Sequence, residues 1–250
     1  PDSVESIGKK AFKNCENLKK IIIPESVTEI GEFAFEDCYA LEEVEILSPI
    51  TGIKEGTFYY CEALTTINLP DSVKTIGYQA FYSCEVLPSI NLPDGLEEIG
   101  DRAFDDCYAL TELEIPSTVN TIGEKAFIDC EGLVSITIPD SVYTLGDSLF
   151  SGCISLEEVT LPSAITTIPQ DTFECCESLT SITIPSTVRK IGRGAFEECT
   201  SLTTIIYDGT TEDWGNIEFD IYEYDEDTYE VTSSTVYYWP YSEVPATYVQ

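Results

Sequence analysis

The sequence has no histidine and no methionine, and only 12 lysine and arginine residues against 46 aspartate and glutamate. Each shortage excludes something. Without histidine, the side chain that most often serves as base or metal ligand is missing. A formal net charge of −34 repels nucleic acid, whose affinity rests on neutralising phosphates with Lys and Arg. The same charge disfavours an anionic membrane surface. No run reaches the roughly 18 apolar residues that cross a bilayer, so no membrane insertion is expected. There is no N-x-S/T glycosylation acceptor. The few bases are unevenly placed: Lys9, Lys10, Lys13, Lys19 and Lys20 crowd the start, and none follows Arg193. No leader peptide is visible, and the chain opens at Pro1 on a repeat boundary, as expected of a processed or truncated product.

What is present repeats. Cys15, Cys38, Cys61, Cys84, Cys107, Cys130, Cys153, Cys176 and Cys199 stand 23 residues apart without insertion or deletion. Phe12 through Phe196 and Leu18 through Leu202 keep the same step, and only Cys175 is out of phase. A fixed period in this range is the signature of a solenoid. The unit reads P-x-S-V-x-x-I-G-x-x-A-F-x-x-C-x-x-L-x-x-I-x-I, and nine copies fill residues 1–207.

Three parts make the unit. L-x-x-I-x-I alternates and predicts a strand, usually ended by a Pro that cannot donate to a ladder. V-x-x-I-G predicts a second short extended piece. A-F-x-x-C-x-x-L has helical spacing and predicts one or two turns of helix. A single unit buries too few apolar side chains to offset the ordering of its backbone. It needs neighbours above and below, and equal spacing lets identical positions stack in register. The Gly of V-x-x-I-G is replaced by Lys54 and Pro169 in two copies. Pro fixes φ near −65°, so that Gly is expected to serve tight packing rather than a positive φ.

The motif I-P-x-S-V-x-x-I-G-x-x-A-F-x-x-C-x-x-L resembles the BspA-like leucine-rich repeats, over about four fifths of the chain. The resemblance implies a curved right-handed solenoid, mainly β, with a parallel sheet on its concave face. It also implies bacterial or protist cell-surface proteins, often adhesins. Within that family, residues 205–217, "IIYDGTTEDWGNI", look like the segment that often closes such arrays.

The in-phase cysteines admit four readings. A nucleophile needs a base. A zinc site needs clustered ligands, which single thiols stacked on one line do not supply. Adjacent strands are close enough for a disulfide, but stacked side chains point in parallel and nine is odd. A small buried plug fits best, although bridging of some pair stays open. Cys175 takes a slot filled elsewhere by Asn14, Asp37, Asp106, Asp129 and Glu198. It is expected to be an exposed thiol, its pKa raised by Glu174 and Glu177. An intermolecular disulfide there is the alternative to simple drift.

Two candidate binding surfaces follow. The outward positions of the L-x-x-I-x-I strands include Glu42, Glu43, Glu45, Thr65, Thr66, Asn68, Glu112, Glu114, Glu157 and Glu158. They form a small, polar, acidic face without aromatic or Arg anchors. Tyr59 and Tyr82 share one phase in adjacent units and should stack, with Tyr60 and Tyr78 nearby. Such a patch suits a sugar ring or a protein partner, or it simply ties neighbouring units together.

Residues 208–250 leave the repeat, with 11 acids, no base, two Trp and seven Tyr. They predict an acidic, Tyr-rich cap over the end of the array. No cofactor is expected, with calcium at the acidic run 220–230 as the alternative, although the EF-hand pattern is not met. The expected function is a non-enzymatic extracellular module for protein or glycan ligands. The alternative is a structural protein that assembles head to tail into filaments or a surface layer, its basic first unit meeting the acidic end of the next copy. An enzyme is not expected, since repeats offer a shallow face and no nucleophile, phosphate or metal signature appears.

Overall fold

In the computed structural model, residues 3–224 and 231–238 are described. The chain winds into about nine turns of 23 residues, each stacked on the last. The Leu strands pair parallel in three groups. Lys20–Ile23, Glu43–Ile46 and Thr66–Asn68 form one, Ser135–Thr137 and Glu158–Thr160 the next, and Ser181–Ile184 with Thr204–Tyr207 the last. Single bridges from Ser89 to Glu112 and from Glu112 to Ser135 extend the second group toward the first. The register moves by one repeat at each step, with Ile21 opposite Val44 and Val44 opposite Ile67. A second ladder joins the V-x-x-I-G pieces, such as Gly52–Ile53, Thr75–Ile76, Glu98–Ile99 and Thr121–Ile122.

The third part of the unit is not the helix its spacing predicts. Phe12, Cys15 and Leu18 are linked by turns, the Cys15 amide donating to the Phe12 carbonyl and the Leu18 amide to the Cys15 carbonyl. Two residues per unit have positive φ, such as Lys10 at 57° and Asn14 at 60°, and a helix cannot pass through them. Their amides point at the next unit instead: Lys10 donates to Glu32, Phe12 to Ala34 and Asn14 to Glu36, at 2.8–3.0 Å. The turn segment is therefore a third ladder between units. Among the described residues the one helix is Thr211–Trp214, started by a Thr210–Asp213 capping box.

The core is a set of columns. Nine Phe rings from Phe12 to Phe196 stack face to face, with centroids 5.1–5.8 Å apart. Columns of Leu, Ile, Val, Ala and Cys run beside them, almost all fully buried. The Gly that follows Ile keeps negative φ. A Cβ at Gly31 would lie 2.5 Å from the Lys9 backbone nitrogen, and one at Gly100 2.9 Å from the Gly77 carbonyl carbon. The reason for Gly is thus the close approach of the preceding turn.

After the ninth unit, Trp214 and Phe219 pack on the end of the core, and Ile217 is fully buried. Tyr207 lies 5.3 Å from the Trp214 ring. The strand Glu218–Tyr224 adds parallel to Lys190–Ile191 in the second ladder, and Val231–Tyr238 pairs antiparallel with it.

Candidate functional site

Chemistry at the cysteines is suppressed by where they sit. All ten are free thiols. From Cys38 to Cys199, each in-phase thiol donates to the Phe carbonyl of the preceding unit, at 3.0–3.4 Å. The side chain is therefore more than an apolar plug, since it adds a hydrogen bond between units that spacing alone does not reveal. Burial pushes these thiols up, Cys38 to about 11 and Cys199 to about 12, so no thiolate forms near neutrality.

Cys175 is half-buried rather than exposed. Its slot is one of the two positive-φ positions, with φ 57°, which explains why Asn and Asp are frequent there. Its pKa is raised first by burial, then by Glu174, Glu198, Glu177 and Glu197.

On the Leu-strand face, Glu112, Glu114, Glu157 and Glu158 are exposed, as are Glu42, Thr65, Thr66 and Asn68, while Glu43 and Glu45 are half-buried. Three shallow depressions of about 320, 480 and 420 Å³ follow one another along units four to nine. The first two share Glu112 and Glu114, and the second and third share Glu158 and Thr160. Through these shared residues they read as one open trough, lined by carboxylates, by Ser, Thr and Asn and by strand Ile and Leu, with no lysine or arginine.

At the first unit the charge is already engaged. Lys9 pairs with Glu32, Lys10 and Lys13 with Glu36, Lys19 with Glu42 and Lys20 with Glu43, at 2.5–3.2 Å. The basic patch invoked for head-to-tail assembly thus faces second-unit carboxylates of its own chain. Being exposed, such pairs contribute little to stability.

The tyrosines lie on the turn side. Tyr59 stacks on Tyr82 with centroids 4.8 Å apart. Tyr60 meets Tyr59 edge-on at 4.6 Å and Tyr82 at 5.5 Å. Phe33, whose place in the repeat none of these tyrosines shares, adds an edge contact to Tyr59 at 6.2 Å. Tyr78 is 43% exposed and joins none of these ring contacts.

Beside them lies an acidic group. Asp105, Asp106 and Asp129 bring carboxylate oxygens within 4.8 Å of one another. Asp105 is buried and takes a 2.6 Å ion pair from Arg102. Burial raises its pKa to about 6, against the Arg102 hydrogen bond, which lowers it. The acidic run considered for calcium, 220–230, lies largely outside the described residues.

The family model described as the BspA type leucine rich repeat region matches residues 1–111 and 97–223. Among curated proteins none matches. Among solved structures, a leucine-rich repeat protein of T. pallidum is 31% identical, with 70% of this chain and 72% of that chain covered and a TM-score of 0.51. A leucine rich cell surface protein of Faecalibacterium prausnitzii is 28% identical over 87% of this chain and 80% of that one, with a TM-score of 0.46. A leucine-rich repeat protein of Bacteroides ovatus is 31% identical, covering 81% and 70%, with a TM-score of 0.43. With the 23-residue turns, the stacked Phe column and a family match over most of its length, the chain belongs to the BspA type leucine-rich repeat family.

Proposed function

We propose that the chain is a non-enzymatic interaction module that works at the cell surface or outside the cell and holds a protein or glycan ligand along its Leu-strand face. The carrying observation is the continuous trough from Ser89 to Asp208. It is long and shallow, which suits an extended or broad partner more than a small substrate. Its lining offers hydroxyls and carboxylates and lacks any base that would oppose a cationic or hydroxyl-rich ligand. Family membership favours a surface protein, and no described helix is long and apolar enough to cross a membrane. The net charge argues against nucleic acid, and the reading calls for no cofactor.

The test is binding to immobilised matrix proteins and glycans by the full chain and by a Glu112→Gln/Glu114→Gln/Glu158→Gln variant. These side chains are exposed, so folding should be unchanged. The expected result is saturable binding that the variant weakens about tenfold or more. Binding at background, or binding that the variant leaves intact, would remove the trough from the account.

A further inference from the structure

Eighteen backbone positions in the turns have positive φ, two in each of nine units. Asn, Asp, Ser, Gly and charged residues fill most of them. Two carry aromatic rings: Phe33 and Tyr60, each at φ 55°. Bulky side chains rarely adopt this conformation, and such outliers cluster where a structure serves a function. Both occur in neighbouring units, and both rings touch Tyr59. The departures from the repeat are coordinated. The Phe33 ring lies where a Cβ at position 56 would collide with it, and Gly56 stands there. The column of Tyr59 and Tyr82 holds Lys13, Glu36, Asp105, Ile128, Ser151 and others elsewhere, so the array does not need rings at that place.

The chemistry around the cluster is one-sided. At its first end, Phe33 already carries a cation, with the Lys10 ammonium 5.0 Å from the ring centroid. At the other end there is none to spare. Glu62 and Glu85 stand one repeat apart, with no ion-pair partner among the described residues. Asp106 accepts hydrogen bonds from Tyr108 and Ser83 and pairs with no base among the described residues. The nearby Arg102 is bound to Asp105. Glu85 is raised by burial, then by the like charges of Glu62 and Asp106. The Asp106 carboxylate interacts with Tyr82 and, together with Glu62, with Glu85, and a ring beside unneutralised carboxylates attracts a cation on both counts.

We propose that Tyr60 and Tyr82, with Glu62, Glu85 and Asp106, form a docking site for an arginine or lysine side chain presented by a basic segment of a partner protein. This shares with the proposed function the premise that the chain binds proteins, but it uses a different face and different residues.

The experiment measures affinity of the full chain for a labelled hexa-arginine peptide at fixed ionic strength. Three variants are compared. Tyr60→Gly keeps the net charge and suits the positive φ, so its thermal midpoint should not fall. Glu62→Gln/Glu85→Gln removes two charges at the site. Glu25→Gln/Asp71→Asn removes two exposed charges on the turns after Pro24 and Pro70. The expected result is an about tenfold loss for each of the first two and less than about twofold for the third. Equal affinity of Tyr60→Gly and wild type would overturn the proposal. So would equal losses in the two charge variants, which would reduce binding to general attraction by a polyanion. Neutral oligosaccharide binding that depends on Tyr60, without hexa-arginine binding, would also overturn it. Failure here leaves the trough variants as an independent test of the proposed function.

Discussion

Phe104→Ala is expected to destabilise the array by about 3–5 kcal/mol. Phe104 is fully buried and lies between Phe81 at 5.3 Å and Phe127 at 5.8 Å, so both neighbours lose their stacking face. Its backbone also bonds twice to the following unit. The amide donates to the Ala126 carbonyl, and its own carbonyl accepts the Cys130 thiol. In a solenoid each unit touches only its neighbours, so stability is a sum of unit and interface contributions. A void at the fifth unit weakens two interfaces at once, and chemical denaturation should become biphasic. The internal control is Phe12→Ala. Among the described residues Phe12 has one stacking neighbour, Phe35, and it is half-buried, so about 1–2 kcal/mol is expected. Equal losses at the two positions would contradict a stack of coupled units.

Asp105→Asn is expected to stabilise the protein progressively as pH rises from about 4 to 7, by about 2 kcal/mol across that range. The wild-type carboxyl is 3% exposed and its pKa is raised to about 6, first by burial and further by Asp106 and Asp129, against Arg102. A carboxylic acid in an unfolded chain titrates near 3.9. The folded state therefore holds the proton more tightly. Below about pH 4 both states are protonated and no penalty exists. As pH rises through the folded pKa the buried charge must form, and stability is lost. Asn has the same shape and no such step. The other carboxylates are common to both proteins and cancel in the comparison. The readout is the difference in unfolding free energy between variant and wild type at pH 4 and pH 7. A difference independent of pH would mean that Asp105 is ionised at no penalty, as an ordinary partner of Arg102.

Much of the fold is legible in the sequence because a 23-residue step admits few structures. The strands Lys20–Ile23 and Ser181–Ile184, the stacked Phe column and the buried thiols follow from period and polarity. The turn segment is not, because spacing of three residues fits both a helix and a run of tight turns. The sign of φ separates them. A signal for it is present, since Asn14, Asp37, Asp106, Asp129 and Gly152 share one column and all tolerate positive φ. That same column holds Cys175, whose half-burial follows from neighbouring turns and not from residue type. The candidate surfaces are less legible. Tyr59 and Tyr82 can be paired from phase alone, but Phe33 enters through a backbone conformation unusual for its type. Asp105 shares its phase with Lys13 and Glu36, so its burial is not readable from pattern. The lysines of the first unit read as a free basic patch until the second unit places carboxylates one repeat away.

The most direct test of the stacked array is site-resolved alkylation of the full chain without reductant, first native and then denatured. Cys15, in the first unit, and Cys175 are half-buried and should react in the native protein. Cys38, Cys61, Cys84, Cys107, Cys130, Cys153, Cys176 and Cys199 are buried and bonded to the preceding turn, and should react only after denaturation, giving all ten in total. Native labelling of Cys84 or Cys107 as fast as Cys15, or fewer than ten reactive thiols once unfolded, would contradict the stacked-turn structure.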